Sequence, residues 1–416
     1  MKTLSILCLS WFAISLGPRA DAQIYDTNNV VVQTFVGSGF SGYLDGQGTQ
    51  TMFNNPMKVV ADSSSNLFVL DFGNSRIRKV APDGTVSTFA GGGTGPLPGS
   101  GTTVSLGLTY YSSMAIDHSN TLWISTSSGL LRIGSDAYAS RTTLTGLTFT
   151  SGVGVDSGNN IYYTAPDANQ IYRWRTNRVL EVFAGSGNQG SADGNGVFTS
   201  FHYPTTLAAD MADNIYIWDS GNYLIRRISQ SKDVVTIAGK NGVQSLDSDG
   251  EGTNATFSSV SAMCVDSSGD IILACYGSVG SSIRKMTAAT NVTTLAGSFT
   301  QTGYTSGVGW LARFFGSSGV CISQGMIFVA DCNNQRIRNI SFNPAPQIVS
   351  GGNLDLSTYA GLKITGVVGR TYRIESSTDM TGWNTETTVL LTGSPYLWID
   401  PSALGQNKFY RAFLLP

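Results

Sequence analysis

Only two imidazoles, His118 and His202, occur in this chain of 416 residues, and they fall in different segments at opposite ends of their strands. A three-histidine zinc centre is therefore excluded, and with it chemistry that needs several histidines. Carboxylates offer more. Asp45-Gly46-Gln47-Gly48, Asp193-Gly194-Asn195-Gly196 and Asp249-Gly250-Glu251-Gly252 could turn their side chains toward a hard cation such as Ca²⁺. An Asp-Gly pair is also a standard turn, and one pattern recurring in three equivalent places favours turns, so no cofactor is expected. Phe53, Phe201, Phe257 and Phe314 recur in step with these segments and are assigned to packing. Tyr43, Tyr110, Tyr111, His202, Tyr203, Tyr304 and Trp310 lie in the same loops without repeating cleanly, which makes them the candidates for ligand contact. Cys264 and Cys275, like Cys321 and Cys332, stand 11 residues apart. A turn over 267–270 would set Cys264 opposite Leu273 and diagonal to Cys275, so the 264–275 pair is the candidate disulfide, marginal in geometry.

Such side chains need a scaffold, and the composition points to short strands and turns: 49 glycines and only 12% charged residues. Self-alignment exposes a unit ending in Ile-Arg-Lys/Arg-aliphatic, at Ile77-Arg78-Lys79-Val80, Ile225-Arg226-Arg227-Ile228, Ile283-Arg284-Lys285-Met286 and Ile337-Arg338-Asn339-Ile340. Two degenerate copies, Leu130-Leu131-Arg132-Ile133 and Ile171-Tyr172-Arg173-Trp174, fill the gap. The six recur every 41 to 58 residues, a period suited to a four-stranded blade. Each unit has a first strand ending in Asp (Asp62, Asp117, Asp156, Asp210, Asp266, with Ser323 in the last), an apolar second strand, the Arg-bearing third and a fourth such as Val86–Gly91. The segment from Val31 to Gly37 is of the fourth type, while the last repeat stops after its third strand at Ile340. The N-terminal strand thus supplies the missing edge of the last unit and leaves no sheet edge open. The predicted fold is all-β: a six-bladed β-propeller over residues 23–343, closed by its N-terminal strand.

Asp71-Phe72-Gly73-Asn74-Ser75-Arg76-Ile77-Arg78 and Asp331-Cys332-Asn333-Asn334-Gln335-Arg336-Ile337-Arg338 closely resemble the NHL repeat and its Asp-x-x-Asn-x-Arg-Ile-Arg signature. Gly185-Ser186-Gly187, Asp193-Gly194-Asn195-Gly196 and Phe201-His202-Tyr203-Pro204 follow the order of motifs in that family. The resemblance covers roughly 310 residues and implies a six-bladed propeller. Blades two and three depart from it, lacking the Asp and Arg of the signature. Amidating and streptogramin lyases on related propellers depend on His, which this chain does not supply, and the Glu/Asn/Asp calcium cluster of gluconolactonase-like propellers is not found.

Pro344-Ala345-Pro346 breaks the pattern and marks a linker. Five further strand-like segments over residues 347–416 suit a small β-sandwich, similar to short terminal modules of large exported bacterial proteins that carry a comparable Tyr-Arg-Ile-Glu-Ser-Ser-Thr-Asp run. Residues 1–22 read as a signal peptide, with an apolar run from Leu4 to Leu16 and Ala20-Asp21-Ala22 before the cleavage point at Gln23. No segment has the length and apolarity of a membrane span, so the mature chain is expected to be secreted or held at the cell surface, as a monomer. The formal charge of −2 becomes −3 once Lys2, Arg19 and Asp21 leave with the signal, a poor balance for nucleic acid.

Alternating strand directions place the long insertions, from Gly37 to Pro56 and at equivalent positions, on one face with the turns between second and third strands. A protein, peptide or glycan ligand is expected there, bound by a non-catalytic scaffold. The alternative is a Ca²⁺-dependent hydrolase, lactonase or lyase with its site at the channel mouth, which would need three or more carboxylate, amide or imidazole groups to converge on that face. The third-strand arginines are assigned to pairing with aspartates such as Asp71, Asp219 and Asp331.

Overall fold

The computed structural model describes residues 30–342 apart from 128, 143–149 and 278, together with 361–364, 370–378, 381–390, 396–399 and 409–415. The signal segment and the Pro344–Pro346 linker lie outside these residues. The chain divides into two compact units, Met1–Asn343 and Pro344–Pro416.

Among its described residues the first unit contains six antiparallel sheets and no α-helix. In chain order, the first sheet runs outward from Pro56–Ala61 through Leu67–Asp71 and Arg76–Val80 to Thr85–Gly91. Its second strand is buried along its whole length, as are Leu122–Thr126, Ile161–Ala165 and Ile215–Asp219 in the next three sheets. The cause is that both faces of each sheet are covered by a neighbour, so these strands are nearly continuous apolar runs rather than alternating ones. Six apolar clusters lie between consecutive sheets. Phe68, Leu70 and Ile77 of the first sheet meet Leu122, Ile124 and Leu131 of the second, and the sixth cluster joins Phe328, Ala330 and Ile337 of the last sheet to Val59, Leu67 and Val69 of the first. The innermost strands touch in the same cyclic order, so the sheets form a closed ring.

The seam of the ring joins the two ends of this unit. Val30–Val36 pairs antiparallel with Arg336–Phe342, from Val30 opposite Phe342 to Val36 opposite Ile337. The aspartates that end the first strands fold the inner turns. Asp62 accepts hydrogen bonds from the Ser64 and Asn66 amides, Asp117 from Ser119 and Thr121, and Asp210 from Ala212 and Asn214, each at 2.8–2.9 Å.

Only the inner ends of the insertions, such as Tyr110 and Tyr111, reach the channel. Each insertion runs along the outer edge of the following sheet, where Gly46–Gln47 pairs with Thr85–Val86, Gly194–Asn195 with Asp233–Val234 and Gly250–Glu251 with Asn291–Val292. The chain then returns inward and drops its phenylalanine between two sheets, so that Phe53, Phe201, Phe257 and Phe314 are fully buried. The second unit contains a three-stranded sheet, Asn384–Leu390, Thr371–Ser377 and Phe409–Leu414, and a separate pair, Gly361–Ile364 with Tyr396–Ile399.

Candidate functional site

The Asp-Gly segments are consumed by the fold. The Asp45 carboxylate lies 2.5 Å from Arg78, that of Asp193 2.7 Å from Arg226, and that of Asp249 3.0 Å from Arg284. Their second oxygens accept the amides of Thr88, Thr236 and Thr294. Arg78 and Arg226 also bond Asp71 and Asp219 at 2.9 and 3.0 Å, and Arg338 bonds Asp331 at 3.0 Å. Every guanidinium in this set is fully buried, and each stacks over the phenylalanine below it, as Arg284 does over Phe257 at 4.7 Å. Burial lifts the Asp71, Asp219 and Asp331 carboxyls above their ordinary range, while the arginine and amide donors beside them pull back. Cys275 occupies the position that Asp71, Asp219 and Asp331 hold in their sheets, and Arg284 is left with one carboxylate.

Among the described residues Cys264, Cys275, Cys321 and Cys332 are free thiols, which corrects the expected Cys264–Cys275 bridge. Asp266 accepts the Ser268 and Asp270 amides and so belongs to the turn, which sets Cys264 opposite Ile272 rather than Leu273. Cys264 then shares a sheet face with Ile272, and Cys275, three residues further on, points to the other. Two such side chains cannot meet.

The six innermost strands enclose a channel. Its mouth, on the side of the turns between second and third strands, is a cavity of about 330 Å³ to which all six sheets contribute. Register explains its lining. At one register position the first strands bring Met57, Ser151, Thr205, Ser261 and Ser318 to the mouth, and the second sheet adds Ser113 from one position deeper, so five of the six are hydroxyl residues. The hydroxyls of Ser113, Ser151, Thr205 and the neighbouring Ser259 make no hydrogen bond with other described residues. Tyr110, Tyr111 and Tyr276 complete the wall. Phe72, Tyr110 and Tyr111 form an edge-to-face series at 6.1 and 5.5 Å, and burial raises the Tyr110 phenol above its usual pKa.

One charge enters this cavity. Lys58, one residue deeper on the first inner strand, donates to the carbonyls of Ser261 and Ser318 at 2.6 and 2.8 Å, on the two sheets at the far side of the seam. Its equivalents in the other sheets are Ser113, Gly152, Thr206, Ala262 and Gly319. What accessibility Lys58 keeps is to the channel, and loss of hydration there brings its ammonium down to about 8. The Cys332 thiol nearby is pushed up to about 11 by burial and stays neutral wherever Lys58 titrates. The lining includes no carboxylate. Among the described residues no group of three or more His, Cys, Asp and Glu is placed to hold a metal ion.

No known family profile matches the chain, and no curated protein does. Among solved structures, it is similar to a structural genomics protein of unknown function from Bacteroides thetaiotaomicron VPI-5482, with 17% identity over 76% of each chain and a TM-score of 0.59. An auxiliary nutrient binding protein from Bacteroides ovatus ATCC 8483 gives 17% identity over 76% of this chain and 77% of its own, with a TM-score of 0.59. A second protein so described, from Bacteroides thetaiotaomicron VPI-5482, gives 18% over 75% and 76%, at 0.58. The fold is β-propeller-like. Identities this low speak to architecture alone.

The propeller-like ring sorts the aromatic candidates into two places. Tyr110 and Tyr111 line the mouth, and the Tyr203 phenol has its pKa raised by burial and by the nearby Asp167 and Tyr111. Beside it, the His202 ring packs against Gly221, where a Cβ would collide with it at 2.4 Å. Tyr43, Tyr304 and Trp310 stand away from the channel. The Tyr43 ring lies 3.8 Å under Arg76 and Tyr304 is 5.2 Å from Arg336, while Trp310 follows the short outer strand Gly307–Val308 and is 70% exposed. Sequence reasoning missed Lys58, Tyr276 and the hydroxyl ring. Their signal was there to be found: a lysine inside an apolar strand, at a position where five other repeats carry uncharged residues.

Proposed function

We propose that this protein is an exported six-bladed propeller of the NHL-repeat type that binds a glycan, peptide or protein segment at the channel mouth without transforming it. A small β-sandwich module beyond the Pro344–Pro346 linker and a signal peptide cleaved before Gln23 complete this proposal. The observation that carries it is the lining itself: phenols and uncommitted hydroxyls around a cavity of about 330 Å³, with no carboxylate among them. Small-ligand sites combine apolar or aromatic walls with a few convergent polar groups in this way. Six sheets in a closed ring agree with the six-blade count, and two of the similar structures are named as nutrient binding proteins. No helix among the described residues is long and apolar enough to cross a membrane.

A glycan array and a peptide library, read with the wild-type protein and a Tyr110→Ala/Tyr111→Ala variant, test the proposal. Ligands captured by wild type are expected to lose at least about tenfold in affinity in the variant, the usual cost of removing two aromatic anchors. Capture unaffected by the two substitutions, in protein whose circular dichroism is unchanged, would move the site elsewhere.

A further inference from the structure

The lining leaves the charge of the ligand open, and Lys58 closes that question. Its two hydrogen-bond partners are neutral backbone carbonyls, so its charge has no counterion. Among the described residues no carboxylate lies within ion-pair distance of it, and Asp71, on the adjacent strand, is committed to Arg78. An ammonium carries three donors, of which two are used here. The carbonyls that hold it belong to the fifth and sixth sheets while its backbone belongs to the first, so the group is tethered in the channel and cannot swing out to water. A cation fixed in a poorly hydrated place without a partner is unfavourable, and an anion brought to it recovers that cost.

Resting on the binding proposal above, we infer that Lys58 is the anchor for a carboxylate on the ligand, and that the mouth takes an acidic saccharide. The hydroxyls of Ser113, Ser151, Thr205 and Ser259 are free to meet sugar hydroxyls, and Tyr110 and Tyr111 offer ring faces. The volume lies at the small end of the range for ligand sites, which suits one or two sugar rings. Lys58 would donate its third N–H to the carboxylate, a charge-assisted bond. Facing groups leave this charge intact at neutral pH, since Cys332 titrates near 11 and Tyr110 above its ordinary value.

Calorimetric titration at pH 7 with glucuronate, galacturonate, glucose, galactose and acetate separates the parts of this inference. A uronate is expected to bind about tenfold or more tighter than its neutral counterpart, and acetate more weakly than either uronate. Lys58→Met is expected to abolish that preference, so that the uronate and its neutral counterpart bind the variant with the same affinity. Methionine keeps the length of the lysine stem without its charge, at a position where the other five sheets carry uncharged residues, and circular dichroism checks that the variant folds. Affinity of the uronate should also fall as pH rises past about 8, where the ammonium is lost. Equal binding of acid and neutral sugars, or a preference that survives in Lys58→Met, overturns the inference and leaves the binding proposal standing. So does a library ligand that depends on Tyr110 and Tyr111 but carries no anionic group. Failure of every saccharide and peptide to bind overturns both.

Discussion

At the residue scale, the buried arginines and the buried lysine pose opposite electrostatic problems. Arg78 has two carboxylates, one of them fully buried, and removing that one should cost much more than removing the other. Asp71→Ala is expected to destabilise the protein by roughly 3–5 kcal/mol, because it strands a guanidinium in the interior. Asp45 is 41% exposed, and Asp45→Ala should cost under about 1 kcal/mol. Urea unfolding of the two variants decides between them, and similar losses would mean that Asp71 is not the partner that matters. Lys58 has no counterion, and its stability signature follows from its depressed pKa of about 8. Between that value and the ordinary 10.5 the unfolded chain binds more protons than the folded one, so stability should rise with pH across this window. Below pH 8 the penalty is constant. Measured as wild type minus Lys58→Met, the gain should appear between pH 8 and 10.5, and a flat difference would mean that the lysine is well hydrated.

At the scale of elements, the pairing of Val30–Val36 with Arg336–Phe342 makes one N-terminal strand responsible for the sixth sheet. Deleting residues 31–37 should lower the melting temperature of the ring far more than deleting residues 344–416, which form the separate compact unit. Differential scanning calorimetry of both truncations provides the comparison, and an equal loss would show that the C-terminal unit supports the ring. This strand could be read from sequence because Val31-Val32-Gln33-Thr34-Phe35-Val36-Gly37 shares the pattern of the other fourth strands and the final repeat lacks one. The fate of the insertions could not be read. Gly46 and Gln47 carry no strand propensity, and they pair only because Val86 and Thr85 present an open edge to them. Tyr43 and Trp310 went to the outer side with those insertions. The one-residue difference in the Asp266 turn was also invisible, and it alone separates two cysteines that a shorter turn would have brought diagonal.

At the scale of the whole molecule, closure into a ring creates a cavity that no single repeat contains. Ser113, Thr205 and Ser318 are unremarkable in their own strands, and they form a lining only because six strands face one axis. Lys58 shows the same thing from inside, since its partners lie more than two hundred residues away along the chain. The seam between Val30–Val36 and Arg336–Phe342 also sets an order of events during synthesis. The first strand of the ring to leave the ribosome has, as its partner, the last one. Until Phe342 is made, the growing chain is an open arc with an apolar face at each end and one strand waiting unpaired, a state suited to capture by a chaperone and to strand exchange with another copy. A circular permutant with its termini moved to an inner turn, such as that after Asp117, would carry Val30–Val36 behind Arg336–Phe342 and let the two strands meet as they emerge.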